Sequence, residues 1–244
     1  MITDWFTEPA RMRCKKMFSY PTQTPLEQFD SSVPYLLEEV YQKKQDVTPE
    51  TIRDAMYTYS GSMRHPKFSE ASGHGVTKAL FVFKKLDATR ILDPCAGYGD
   101  RCIAALAAGT DEYVGVDVNA DLIGGHSEIL STLPGAASRA RFIYAPFESD
   151  EVALPANHFT LVYTSPPYGQ TQDTSVPLES YGCDPSTQHD RSNFSTVKFS
   201  GARWVDWFYA MLAKAWRALA VDGHMVIHIS DHRTNRIVGR MQRY

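Results

Sequence analysis

The residues of this chain best suited to chemistry fall in three short segments. The first, residues 91–101, reads ILDPCAGYGDR, and the second carries Asp117 in VGVDVN. Glycines such as Gly97 and Gly99 at a strand-to-helix turn let the backbone bend tightly and approach a ligand at the helix N-terminus. Asp93, at the strand end, is positioned to accept hydrogen bonds from an ammonium group. Asp117, ending the next strand, can take both hydroxyls of a ribose, with Val118 packed on the attached base. A dinucleotide suits the segment less well. Its fingerprint would place a third glycine where Cys102 stands, and Asp93 would repel its pyrophosphate.

The third segment, TSPPYG at residues 164–169, follows the apolar run FTLVY. Two successive prolines remove two backbone donors and hold the chain extended, so this rigid turn presents side chains and carbonyls. Such rigidity suits an exocyclic amine, a poor nucleophile because its lone pair is delocalised into the ring. If Ser165 and the Pro166 carbonyl each accept one N–H, the nitrogen is held partly pyramidal with its lone pair free to attack. Pro167 stiffens the turn, and Tyr168 can stack on the base, a contact of roughly 1–3 kcal/mol.

These segments need a scaffold that brings strand ends together. From residue 89 onward, short apolar runs alternate with helical patterns, which predicts a mostly parallel sheet built from βαβ units. Strands are expected over residues 90–93, 113–117, 141–145, 160–164 and 225–229. Helices are expected over 101–108, from Asn119 to the break at Pro134–Gly135, and over 203–219, where Trp204, Phe208, Met211, Ala215 and Leu219 fall on one face. Residues 1–75 read as a polar, helical extension that serves as a lid, with one helix over 33–44 and another capped by Thr48 ahead of Pro49 and Glu50. An apolar helix follows over 76–86. Residues 76–244 are expected to make up the main domain, and only residues 231–244 follow the last strand, so the chain reads either as a version with a truncated C-terminal strand pair or as a fragment of something longer.

In that order the three segments resemble the motifs of the class I amino-methyltransferases that use S-adenosylmethionine to modify adenine N6 or cytosine N4 in DNA. The resemblance covers roughly residues 89–230 and implies an α/β, Rossmann-like class I methyltransferase fold. The implied cofactor-binding residues are Asp93, Pro94, Cys95, Ala96, Gly97, Tyr98, Gly99, Asp100, Asp117 and Val118, with Phe147 bordering the adenine. In the implied motif order, the segment contacting methionine precedes the cofactor loop, which places Phe68, His74 and Thr77 there. The catalytic turn is Ser165, Pro166, Pro167 and Tyr168, and its serine form is most similar to cytosine-N4 enzymes. Unlike the DNA enzymes of this family, the chain has no room for a separate recognition domain. The polar stretch 170–202 is the nearest substitute.

Composition narrows the field without deciding it. The formal charge of −3 does not favour strong nonspecific DNA binding. The basic clusters Arg11, Arg13, Lys15, Lys16 and Arg233, Arg236, Arg240, Arg243 read as solvated tails. Four irregularly spaced cysteines suggest reduced thiols and no metal site. With no signal peptide or apolar run long enough to span a bilayer, an intracellular, cytoplasmic or nuclear setting is expected, with nucleic acid as partner, DNA ahead of RNA. The rival readings are an RNA base methyltransferase acting on adenine N6 or guanine N2, a catalytically inactive methyltransferase fold used as a binding or assembly module, and, more distantly, an NAD-dependent oxidoreductase.

Overall fold

In the central strands apolar residues run almost unbroken, because both faces of the sheet are covered by helices. The computed structural model describes residues 2–13, 15–16, 25–58, 74–166, 179–180 and 201–229. In chain order the elements are α1 (Ile2–Met12), β1 (Lys15–Lys16), α2 (Pro25–Gln42), α3 (Pro49–Thr58), α4 (Val76–Lys85), β2 (Arg90–Asp93), α5 (Asp100–Ala108) and β3 (Glu112–Asp117). A 3₁₀ turn (Ala120–Leu122) then leads into α6 (Ile123–Thr132), α7 (Ala136–Arg139), β4 (Ala140–Tyr144), β5 (Phe159–Thr164), β6 (Glu179–Ser180), α8 (Gly201–Ala218) and β7 (Leu219–Ile227).

Five strands form one sheet in the order β4-β3-β2-β5-β7, and every pairing in it is parallel. This is the doubly wound, Rossmann-like arrangement expected from the sequence. Alternation along the strands sorts the core into two layers. Ile91, Tyr113, Leu161 and Tyr163 meet α4 and α5 through Phe83, Cys102, Ile103 and Ala104. Leu92, Val114, Val116 and Val162 meet α8 through Phe208, Met211 and Ala215. A two-residue antiparallel pair, β1 with β6, stands apart from this sheet.

Four of the five expected strands appear within a residue of their expected bounds. The last begins earlier, at Leu219. Phe159 pairs with Leu219 and Leu161 with His224, so residues 220–223 bulge from the ladder, and Val221 is 89% exposed. Asn119 and Thr48 cap as expected, accepting from the Asp121 and Thr51 amides. The short α7 was not anticipated, because Gly135, at φ +69°, starts a new turn where the sequence reads only a stop.

The basic cluster near the start requires a correction. Arg11 is fully buried, its Nη2 3.1 Å from the Thr3 hydroxyl and 3.9 Å from the Asp100 carboxylate. The cause is α1, which lays Phe6 and Ala10 inward and draws Arg11 with them over the Tyr98 ring, 4.6 Å from its centroid. The approach is close. A Cβ on Gly125 of α6 would lie 2.5 Å from the Phe6 carbonyl oxygen, so only glycine fits there. Arg13 is exposed, and Arg233, Arg236, Arg240 and Arg243 lie outside the described residues.

Candidate functional site

Because β3 lies on one side of β2 and β5 on the other, the strand order reverses at β2, and the C-terminal ends of β2, β3 and β5 lie side by side at that switch point. All three segments singled out by their chemistry converge there. Residues 94–99 leave β2, Asp117 ends β3, and Ser165 follows β5. Gly97 and Gly99 both have positive φ, +56° and +88°, and a Cβ on Gly99 would stand 2.8 Å from Ile129. Backbone conformation therefore favours glycine at both positions.

Asp93 ends β2 as a buried acid. Its carboxylate has no exposed surface and is held inside the protein by Arg101 Nε at 2.5 Å, the Tyr113 hydroxyl at 2.8 Å and the Cys95 amide at 3.3 Å. Burial alone would lower the Arg101 pKa, but the adjacent Asp93 charge outweighs it and the guanidinium stays protonated. Arg101 also donates to the Cys95 carbonyl. Asp93 thus ties the loop that leaves β2 to the first turn of α5 and to Tyr113. The sequence carries a signal for this arrangement: Arg101 sits in the first turn of a helix, where the dipole disfavours a cation unless an acid compensates.

Asp117 ends β3 with both carboxylate oxygens engaged by backbone amides. One carboxylate oxygen accepts from the Gly97 amide at 2.7 Å and the other from the Asn119 amide at 2.9 Å. Each oxygen retains a lone pair, and the residue is only partly buried. Burial raises its pKa, while the two amides act in the opposite direction. Val118 beside it is partly exposed, Pro94 and Ala96 are buried, and the Ala96 amide donates to the Val116 carbonyl at 2.8 Å.

Sequence reasoning did not find His126. It is fully buried, stacked on Phe142 at 3.7 Å, with Nε2 2.9 Å from the Gly97 carbonyl and Nδ1 3.0 Å from the Tyr144 hydroxyl. A carbonyl can only accept, so Nε2 carries the proton and Nδ1 accepts from Tyr144. Burial pushes the pKa of His126 down to about 4, which keeps this neutral tautomer in place.

The remaining expected residues divide. Asp100, only 3% exposed, takes hydrogen bonds from the Thr3 hydroxyl and the His74 amide. Tyr98 packs with Ala10 and Leu122 beneath α1. Both side chains make contacts within the protein. Phe147 is a core residue with Val152, Trp207 and Phe208, not an exposed wall, and the neighbouring Glu148 accepts from the Trp207 indole at 3.1 Å. Thr77 is exposed in the first turn of α4. Cys95 is partly buried with a free thiol, pushed well up in pKa by burial. At the third segment Ser165 is partly exposed and Pro166 buried, and the Thr164 carbonyl accepts from the His228 amide at 2.8 Å. The buried Thr164 hydroxyl has no partner among the described residues. Phe68, Pro167 and Tyr168 lie outside the described residues, as does most of the stretch 170–202. Among the described residues no helix is long and apolar enough to cross a membrane.

Residues 159–243 match the model of the N6/N4 DNA methylase family, so the family resemblance holds over β5, the Ser165–Tyr168 segment, α8 and β7. No curated protein sequence matches the chain. Among solved structures, the CcbJ methyltransferase from Streptomyces caelestis is 15% identical with a TM-score of 0.43, over 63% of this chain and 47% of that one. The PH0226 protein from Pyrococcus horikoshii OT3 is 16% identical with a TM-score of 0.42, over 68% and 57%. An S-adenosylmethionine-dependent methyltransferase from Mesorhizobium loti is 18% identical with a TM-score of 0.38, over 64% and 53%. The chain spans about half the length of these structures.

Proposed function

We propose that this chain is an S-adenosylmethionine-dependent N-methyltransferase acting on an exocyclic amino group of a DNA base, cytosine N4 ahead of adenine N6. One observation carries the reading. The SPPY sequence, inside the segment matching the DNA methylase family, begins where β5 ends, and β5 adjoins the strand that leads into the Gly97–Gly99 turn.

The residues present fit the cofactor. Asp117, oriented by two backbone amides and with a lone pair left on each oxygen, would hold the ribose hydroxyls. The glycine turn would lie along the cofactor's remaining length, with Val118 against the adenine. When bound, S-adenosylmethionine supplies an electrophilic methyl group. The chain's own part is positional: Ser165 and the Pro166 carbonyl accept the two N–H bonds of the target amine, and Tyr168 stacks on its ring. Methylation makes the amine cationic and strongly acidic, so its proton leaves to water and no side chain need act as base.

The test is transfer of tritiated methyl from S-adenosylmethionine into DNA, RNA and protein pools, followed by nucleoside analysis. Label in N4-methylcytosine or N6-methyladenine of DNA is expected. Label confined to RNA would move the reading to an RNA base methyltransferase. Cofactor binding with no transfer into any pool would favour an inactive binding module.

A further inference from the structure

Three side chains beside the Ser165 turn have no part in the reading above. His74, ahead of α4, joins two places that sequence keeps far apart. Its backbone amide donates to the Asp100 carboxylate at 2.9 Å, at the start of the helix that follows the glycine turn. Its ring Nε2 lies 2.7 Å from the Tyr163 hydroxyl, on the strand that ends in the target turn. His228 closes the group, its ring edge-on to His74 at 4.9 Å and its amide bound to the Thr164 carbonyl. Tyr163 is 3% exposed and braced edge-on by Phe83 at 5.2 Å, so the rest of its side chain is fixed and only its hydroxyl reaches His74.

The placement of Ser165 gives this group its significance. A residue preceding proline is confined to extended backbone, so β5 geometry continues through Ser165. Side chains two apart on an extended chain share a face. Ser165 therefore projects to the same side as Tyr163, one pleat beyond the His74 bond. Anything that shifts Tyr163 shifts the acceptor for the target amine.

We infer that His74 is a positioning residue that ties the cofactor turn, through Asp100, to the target turn, through Tyr163, so that methyl donor and amine acceptor are held in mutual register. The inference rests on the proposed methyltransferase function, and its role differs from the methionine contact expected from sequence. His74 touches neither reactant in this role. It sets the distance between the two segments that do, and a misplacement of about 1 Å can cost on the order of 100-fold in rate.

Tyr163→Phe removes the bond while leaving the buried ring, and His74→Gln offers an amide able to remake it. With S-adenosylmethionine saturating, Tyr163→Phe is expected to lower kcat by about 10-fold or more with cofactor affinity within about twofold of the parent. His74→Ala should match it, His74→Gln should recover part of the loss, and the Tyr163→Phe/His74→Ala double variant should be no worse than either single one. A second readout does not need turnover: cofactor binding should slow amide exchange in residues 159–165 of the parent protein but not of Tyr163→Phe. Parent-level kcat in Tyr163→Phe, additive losses in the double variant, or equal exchange protection in both proteins would overturn the inference. If the parent binds the cofactor and shows the exchange effect but labels no substrate, the methylation reading fails while the coupling stands. If cofactor leaves exchange in the parent unchanged, the coupling fails whatever the activity.

Discussion

Replacing Asp93 by Asn separates two roles that an acid at a strand end can play. Asp93 has no exposed surface, and the guanidinium it neutralises is 5% exposed and 2.5 Å away. Asparagine keeps the shape and can still meet Tyr113, but it leaves the Arg101 charge in the core without a counter-charge. Breaking a buried pair by removing one partner costs about 3–5 kcal/mol, a large fraction of the roughly 5–15 kcal/mol that holds an ordinary domain folded. Asp93→Asn should therefore lower the urea midpoint steeply. Asp93→Asn combined with Arg101→Met, which removes both charges and keeps an acceptor for the Tyr113 hydroxyl, should regain most of the loss, short by about 1 kcal/mol for the hydrogen bond to the Cys95 carbonyl. Urea titration gives stability, and calorimetry under conditions where the variant is folded gives cofactor affinity. A stability change below about 1 kcal/mol with a large fall in affinity would refute the anchoring role and restore Asp93 as a direct ligand of an ammonium group.

Asp117→Ala should weaken S-adenosylmethionine binding by up to about 1.5–3 kcal/mol for each of the two charge-assisted hydrogen bonds removed; unchanged calorimetric affinity would rule out the ribose assignment. Ser165→Ala should lower turnover while leaving cofactor affinity intact, and unaltered turnover on every nucleic-acid substrate would end the amine-orienting mechanism. Tyr168→Phe should retain much activity and Tyr168→Ala little, because stacking uses the ring; equal damage from both would assign the role to the hydroxyl. His126 gives a pH dependence. Its folded pKa is depressed to about 4 by burial, so between the ordinary value of about 6.5 and about 4 the unfolded chain takes up a proton that the folded chain refuses. Its contribution is complete above pH of about 6.5 and is lost on acidification at up to about 1.4 kcal/mol per pH unit. The pH profile of the urea midpoint should be flatter in His126→Gln over that window, and identical slopes in the two proteins would disprove it.

The sheet was legible because its signals are local. Strands buried on both faces read as unbroken apolar runs, and Gly97, Gly99 and Asn119 announce the turns that link them. Asp117 was legible for a related reason: its partners, Gly97 and Asn119, belong to the same two motifs. What was not legible depends on groups distant in sequence. Arg11 reads as a tail cation until α1 is seen lying over Tyr98. His126 carries no local signal, because its partners Gly97 and Tyr144 come from two other elements. The early start of β7 carries none either, because it rests on the pairing of Leu219 with Phe159 across the bulge.

Asp93 and Asp117 show where the distinction between ligand and anchor lies. Both are acids at the C-terminal ends of neighbouring parallel strands, each followed by a turn, and on sequence either can face a ligand. What separates them is whether a cation of the same chain reaches the carboxylate. Arg101 is near enough on the first turn of α5 to claim Asp93, and the Tyr113 hydroxyl completes its shell. Among the described residues Asp117 receives only neutral amides, which orient the carboxylate without neutralising its charge. A buried carboxylate already paired with a guanidinium has little left to gain from a second donor, whereas a partly exposed one held only by dipoles still has its charge to satisfy. At this edge of the sheet Asp117 therefore keeps a charge that no cation shown in contact with it neutralises, while the Asp93–Arg101 pair fixes the neighbouring turn.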